Sequence, residues 1–361
     1  NRALAEAIGE YVALLDHDDV LTEDALYRVV STLQEQQYDV LYSDEDRMSE
    51  NGAHYYEPRF KPEFDIDLLR EYNYISHLFV AKRSLMQMDG GFHSALDGAQ
   101  GYDMILRCCE GNRSICHIPY VLYHKRIHDG TSEERKIKHA QENQAGKEAL
   151  EAHIEREHLF ARVMLTEQRS VYEVKYDTLG NPLVSMVVTG HTDRMLMERI
   201  LEPFYEKSRY SNFEIIIVDQ DSEDTELQKY YQEMQSRRRN ISVVTAPAGK
   251  SPTEYRNLGS IRANGAYVLF LDANLEIGDS TALGEMLGIA MREDVGVVTG
   301  TLYDDRERLY AAGLEFSGAY ETMVQRWQAQ TERMVDLTTE RQLYRYPYRG
   351  LTDFETWKDM C

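Results

Sequence analysis

One stretch of this chain occurs twice. NRALAEAIGEYVALLDHD begins at Asn1 and NLGSIRANGAYVLFLDAN begins at Asn257. Asn1/Asn257, Ala7/Ala263, Gly9/Gly265, Tyr11/Tyr267, Val12/Val268, Leu15/Leu271 and Asp16/Asp272 are identical. Each copy reads as a helix, a glycine, a hydrophobic strand and an aspartate at the strand end. The copies lie too far apart for a solenoid, whose repeats run to about 20–50 residues. The spacing predicts two copies of one large domain. The second copy is expected to begin near Val184. The first is therefore expected to lack a counterpart of the segment from Val184 to Asn257, and the second to stop early, at Cys361.

Length and composition agree. A chain of 361 residues suggests two domains at about 150 residues each. Charged residues make up 28 % and AVILMFWYC 42 %, a balance that can bury cores and excludes a disordered polyampholyte. The net charge of −22 argues against a nucleic-acid partner, which needs a basic face. No apolar run reaches the roughly 18 residues of a spanning helix. Asn1-Arg2 opens a mixed helix-like segment with no signal peptide, and the absence of an initial Met suggests a fragment. Cys108, Cys109, Cys116 and Cys361 show no CxxC spacing, so neither zinc nor a disulfide scaffold is expected. A reducing, cytoplasmic setting is the default expectation.

Short apolar runs alternate with helical patterns. The runs are YVALL from Tyr11, Val40–Tyr42, HLFVA from His77, VSMVV from Val184, EIIIV from Glu214, Ile241–Thr245 and YVLFL from Tyr267. Helix-like segments include Thr22–Gln36, Arg194–Glu206 and Thr225–Gln235. This alternation predicts an α/β fold with a mixed, mostly parallel sheet flanked by helices. Residues 1–165 form the expected first domain, closed by a charged helix over 133–158. Residues 166–181, ending in the turn-rich TLGNP, are the expected linker, and 182–361 the second domain.

Asp16-His17-Asp18-Asp19 follows the first strand. Carboxylates at the carboxyl end of a strand sit where open α/β sheets bind ligands. Their hard oxygens suit Mn2+ or Mg2+, held together with substrate phosphates. The competing reading is an acidic turn that caps the helix from Thr22. A phosphoesterase with a DHH pattern would need a histidine where Asp18 stands. Cys108 and Cys109 read as core, and Arg237-Arg238-Arg239 as a solvated loop patch.

Several blocks in order, YVALLDHDDVLTEDAL, VLYSDEDR, FKPEFDIDLLREYNYISHLFVAKRSL, GGFHSALDGAQGYDMILR and HIPYVLYHKRIHDGTS, resemble a family 2 glycosyltransferase with the GT-A fold. The similarity is closest to the tandem enzymes of bacterial surface polysaccharide synthesis, of O-antigen or rhamnan type. It makes Asn1 to about Leu165 the C-terminal two-thirds of one transferase. PLVSMVV, EIIIVDQDSED and GAYVLFLDANLEI then resemble the start of a second.

That resemblance implies roles. Asp16 and Asp18 occupy the DxD motif, which holds Mn2+ or Mg2+ against the diphosphate of a nucleotide sugar. Asp19 would supply charge to the next helix or join them. Asp103 or Asp97 would be the base that deprotonates the acceptor hydroxyl of an inverting transfer, since many relatives carry Asp where this chain has Gly101. His124 and His128 would touch the diphosphate, with His128 completing the metal shell. Asp44 and Asp46 would lie near the donor sugar, or form an acidic strand-end loop. Tyr72, Tyr74, His77 and Phe79 could shape an acceptor groove, Phe79 more as core. In the second copy Asp219 would contact the nucleobase or ribose. Asp272-Ala273-Asn274 replaces the DxD motif with a poorer ligand set. The implied partners are a nucleotide-sugar donor and a glycan or lipid-linked glycan acceptor. Lipid-linked acceptors also imply peripheral association with the inner face of the plasma membrane, although a charge of −22 does not favour anionic lipid. The contrasting expectation is a non-catalytic nucleotide- or glycan-binding scaffold, suggested by Gly101 and Asn274.

Overall fold

Strands that are apolar on both faces need a helix layer on each side, and this requirement organises the chain. A computed structural model describes residues 1–127, 132–190, 193–304, 306 and 308–311. They divide into two units, with the boundary between Lys175 and Tyr176.

The first unit contains α1 (Arg2–Glu6), β1 (Tyr11–Leu14), β2 (Val20–Leu21), α2 (Ala25–Glu35), β3 (Val40–Met48), β4 (Tyr55–Arg59), α3 (Ile66–Glu71) and β5 (Phe79–Lys82). It continues with α4 (Arg83–Met86), α5 (Gln100–Cys109), β6 (Ile115–Arg126), α6 (Ser132–Arg156), β7 (Ala161–Leu165) and β8 (Tyr172–Tyr176). The sheet order is β1-β5-β3-β6-β2, with β4 also on β3. Residues alternate between its faces with the period of a strand. Val40, Tyr42, Phe79 and Ala81 enter a core with α5 and α6, through Met104, Ile105, Leu106 and Leu150. Leu41, Leu78 and Val80 enter a second core under α2, through Ala25, Val29 and Leu33. The four-residue spacing of those α2 positions is one helix face. Burying a side chain such as Val29 or Leu33 contributes about 1.5–3 kcal/mol.

The second unit is β9 (Val184–Thr189), α7 (Arg194–Lys207), β10 (Phe213–Asp219), α8 (Thr225–Arg237), β11 (Ile241–Thr245), α9 (Pro252–Ser260), β12 (Tyr267–Asp272) and α10 (Ala282–Ala290). Its sheet runs β11-β10-β9-β12 and every pairing is parallel. β9 and β10 are buried throughout or nearly so, as parallel strands between helix layers require. α9 starts on a capping box in which Ser251 and Glu254 satisfy each other's backbone amides, with Pro252 in the first turn. The hairpin β13 (Leu302–Tyr303) with β14 (Leu309–Ala311) groups with the first unit.

Three expectations change. The sheet is mixed, but only the second unit is mostly parallel. In the first, β3–β6 is parallel, while β1–β5, β3–β5, β2–β6 and β3–β4 are antiparallel. Local hydrophobicity cannot set strand direction, because direction depends on which distant strand is paired. Segment 166–181 contains β8, which pairs with β7, and Tyr172 is buried in the first unit's core. It is therefore partly a structural element of that unit and not wholly a linker. Finally, the acidic run after Tyr42 is not a strand-end loop: β3 continues to Met48 and buries Asp44, Glu45 and Asp46. No helix among the described residues is long and apolar enough to cross a membrane.

Candidate active site

The end of β1 and the segment leading into β5 meet because those strands pair, Leu14 opposite Phe79. Asp16 and Asp19 follow β1, and His77 precedes β5. Asp16, Asp19 and His77 offer ligand atoms that all lie within 4.8 Å of one another. His77 Nε2 is 3.5 Å from Asp16 Oδ2. Tyr123 on β6 ties the group together. Its hydroxyl donates to Asp19 Oδ2 at 2.6 Å and accepts the Asp16 backbone N–H at 3.2 Å. Its ring stacks on His77 with centroids 4.7 Å apart. Burial first, then the neighbouring Asp19, pushes the Tyr123 phenol far above its ordinary value, so it remains a donor. The Arg126 amide donates to Asp19 Oδ1 at 2.7 Å, and Arg126 Nε to the Asp18 carbonyl at 2.7 Å.

Behind His77 lies a buried charged layer. Glu45 Oε2 accepts the His77 backbone N–H at 3.1 Å and lies 3.3 Å from His77 Nδ1. Lys61 Nζ donates to Glu45 Oε2 at 3.3 Å and to the Ile75 carbonyl at 2.5 Å, and it also donates to the His77 carbonyl. The Glu45 and Lys61 side chains are each 3 % exposed. Burial pushes the Glu45 carboxyl up, but Lys61, His77 and Arg59 outweigh it and hold it well below the usual range. Burial lowers the Lys61 ammonium, opposed by Glu45 and Asp44. Two charges this deep are tolerated only because each is paired and hydrogen-bonded.

Asp16 is the exposed member of the cluster, and Asp19 and His77 are partly buried. Among the described residues no Lys or Arg side chain forms an ion pair with Asp16 or Asp19. Two carboxylates and an imidazole converging at the surface fit a divalent cation of the Mn2+ class.

The other sequence-derived candidates are distributed as follows. The converging group contains Asp19 rather than Asp18, whose carboxylate lies 3.8 Å from His17 Nδ1. Asp44 accepts from the Lys61 amide and pairs with His117 Nε2, each at 2.8 Å. His117 lines a neighbouring cleft of about 670 Å³. Asp46 is fully buried against His124 Nδ1 at 2.5 Å. Asp44, Asp46 and His124 are therefore held internally and not presented to the surface: a charge inside a strand must be neutralised by its own fold. Asp103 is fully buried in the first turn of α5, where its Oδ2 takes Arg107 Nη2 at 2.9 Å and His93 Nδ1 at 3.0 Å. Asp97 is exposed. His128 lies outside the described residues. In the second unit Asp219 is buried, accepting from Tyr231 at 3.1 Å and from the Ser222 amide and Gln228, each at 3.2 Å. Asp272, the counterpart of Asp16, receives Arg256 Nη2 at 3.1 and 3.3 Å. The sequence singled out Glu45 only as part of the acidic run with Asp44 and Asp46, and Lys61 not at all. A lysine following an acidic strand was the available signal.

A sequence model of glycosyl transferase family 2 matches residues 1–90 and 195–344. The chain is 32 % identical over 318 residues to the uncharacterized protein y4gI of Sinorhizobium fredii, covering 87 % of this chain and 35 % of that protein. It is 31 % identical over 300 residues to the O-antigen biosynthesis protein RfbC of Myxococcus xanthus, covering 82 % of this chain and 23 % of that protein. The chain thus spans about a third or less of the curated relatives it matches. Solved structures similar to it include the mannosyltransferase PcManGT from Pyrobaculum calidifontis in complex with GDP-Man and Mn2+, with a TM-score of 0.33 and 19 % identity over 37 % of this chain and 39 % of that one. They also include S. aureus TarS in complex with UDP, with a TM-score of 0.32 and 19 % identity over 43 % of each chain. A family match that covers most of the sequence and enters both units makes this chain a member of glycosyl transferase family 2.

Proposed function

We propose that this chain serves glycosyl transfer in the synthesis of a cell-surface glycan, moving a sugar from a nucleotide-diphosphate donor to an acceptor hydroxyl with inversion. The observation that carries the reading is the Asp16, Asp19 and His77 group at the end of β1, inside the first stretch matched by the family. Asp16, with the adjoining Asp18 and Asp19, would hold Mn2+ or Mg2+. When bound, such a cation neutralises a diphosphate leaving group. Tyr123 and the Arg126 amide hold Asp19 in place for that task. Of the two candidate bases, Asp97 is the one open to solvent, whereas both Arg107 and His93 engage Asp103 in the core. Asp97 is therefore assigned the removal of the acceptor proton.

A lipid-linked or free glycan acceptor, and a place at the inner face of the plasma membrane, belong to the same proposal. They draw support from the kinship with an O-antigen biosynthesis protein. A second reading applies to the second unit alone. There Arg256 already supplies a positive charge to Asp272, and Asn274 stands where Asp18 stands in the first copy. That unit fits a non-catalytic partner of the first.

Calorimetric titration of the chain with UDP, GDP and dTDP, with and without Mn2+, tests the reading. Manganese-dependent binding of one nucleotide is expected, reduced at least about 100-fold in the Asp16→Ala/Asp18→Ala variant. Binding that ignores both metal and substitution, or no binding, overturns the donor-site assignment.

A further inference from the structure

We propose that His77 is the nitrogen donor of the first unit's cation site, and that the buried Glu45–Lys61 pair sets its tautomer and orientation. The inference rests on the reading of Asp16 and Asp19 as cation ligands and goes beyond it to residues outside the aspartate motif.

The geometry around His77 is determined on both sides of the ring. Nδ1 faces Glu45 Oε2 at 3.3 Å and Ser76 Oγ at 2.9 Å, while Nε2 faces Asp16 at 3.5 Å. Glu45 Oε2 acts as an acceptor, taking Lys61 Nζ at 3.3 Å and the His77 backbone N–H at 3.1 Å. The Nδ1–H tautomer therefore satisfies it and leaves the Nε2 lone pair toward Asp16 and Asp19. A carboxylate behind an imidazole is the usual means of fixing which nitrogen meets a metal.

Rigidity comes from the same layer. The Glu45 oxygen near Nδ1 also takes the His77 backbone amide, and Lys61 binds the carbonyls of Ile75 and His77. The backbone on either side of the ring is thus fastened to the pair that orients it. Tyr123 stacks on the ring and bonds to both aspartates' segments, so the three donors are held in register. An isolated acidic turn needs none of this. The buried pair is spent on placing one imidazole beside two carboxylates.

An oxygen, oxygen, nitrogen donor set favours Mn2+ over Mg2+, because Mg2+ prefers oxygen ligands alone. Pulsed electron paramagnetic resonance on the chain loaded with Mn2+ tests the proposal without any turnover. Wild type is expected to show nitrogen hyperfine coupling to the bound Mn2+, and His77→Ala to lose it while Asp16 and Asp19 still retain the ion more weakly. The continuous-wave signal of free Mn2+ should report about ten-fold weaker binding in both His77→Ala and Glu45→Gln, with little change in Mg2+ competition constants for His77→Ala. Should Glu45→Gln fail to fold, the wild-type and His77→Ala spectra still decide. Bound Mn2+ without nitrogen coupling, or coupling that persists in His77→Ala, overturns the role of His77 while leaving the aspartate site standing. Absence of Mn2+ uptake by wild type, or uptake indifferent to Asp16→Ala, overturns both.

Discussion

Among single residues, Glu110 shows how one carboxylate couples two helices. It caps α5 and reaches α6, where Arg156 Nε approaches its two oxygens at 2.9 and 3.0 Å and His153 Nδ1 lies at 2.8 Å. His153 Nε2 in turn faces Arg70 Nε at 3.2 Å, so Nδ1 carries the proton given to Glu110. Burial raises the Glu110 carboxyl, but His153 and Arg156 outweigh it and hold it below its ordinary value. A depressed folded-state pKa contributes stability above the unfolded value of about 4.3 and loses it as pH falls through the folded one. Glu110→Gln should therefore cost about 1–2 kcal/mol at neutral pH, after allowance for partial solvent screening. Urea melts of both proteins should converge as pH is lowered below the carboxylate range. A gap that stays constant with pH would show that the charge is not what stabilises the contact.

For whole elements, the internal repeat supplies its own control. Gly9 and Gly265 hold the same place between helix and strand. A Cβ on Gly265 would lie 2.5 Å from the Leu183 carbonyl oxygen and 2.8 Å from the Ser185 amide nitrogen, because β9 runs beside β12. Among the described residues, a Cβ on Gly9 would meet only the Tyr11 carbonyl oxygen, at 3.1 Å. Gly265→Ala should accordingly destabilise by about 1–3 kcal/mol through backbone displacement, and Gly9→Ala by well under that. Thermal melts of the two variants make the comparison, and equal shifts would contradict it. A similar limit acts at Gly259 on α9, whose Cβ would lie 2.3 Å from Val187 Cγ1 on β9.

Taken over the whole molecule, the strand that follows each repeat glycine is paired on one side in both units, but in opposite senses along the sequence. Among the described residues β1 is paired only with β5, on one side, and β12 only with β9, also on one side. β5 comes later in sequence than β1, whereas β9 comes earlier than β12. The repeat strand thus pairs with a later strand in the first unit and with an earlier one in the second. Their strand-end aspartates differ in the same way. Asp16 faces His77 and Asp19, whereas Asp272 faces Arg256. Titration of Mn2+ should thus be weakened about ten-fold or more by Asp16→Asn and unaffected by Asp272→Asn. Equal loss in both variants would place a second cation site in the second unit.

The sequence by itself determined the α/β alternation, the repeat, the helices over most of their lengths and the acidic turn after β1. These are local properties: apolar period, capping residues and a strand end are each written within a few neighbouring positions. The tertiary structure alone decided what the acidic run in β3 does. Glu45 finds Lys61 16 residues away, while Asp44 finds His117 at 73 and Asp46 finds His124 at 78. No periodicity encodes such partners, and without them three carboxylates in a row read as solvent-facing. The same reason explains why the sequence offered His77 only for an acceptor groove: its position beside Asp16 follows from the antiparallel pairing of β1 with β5. Strand pairing is a long-range choice, made where the whole set of buried charges and apolar faces is satisfied at once.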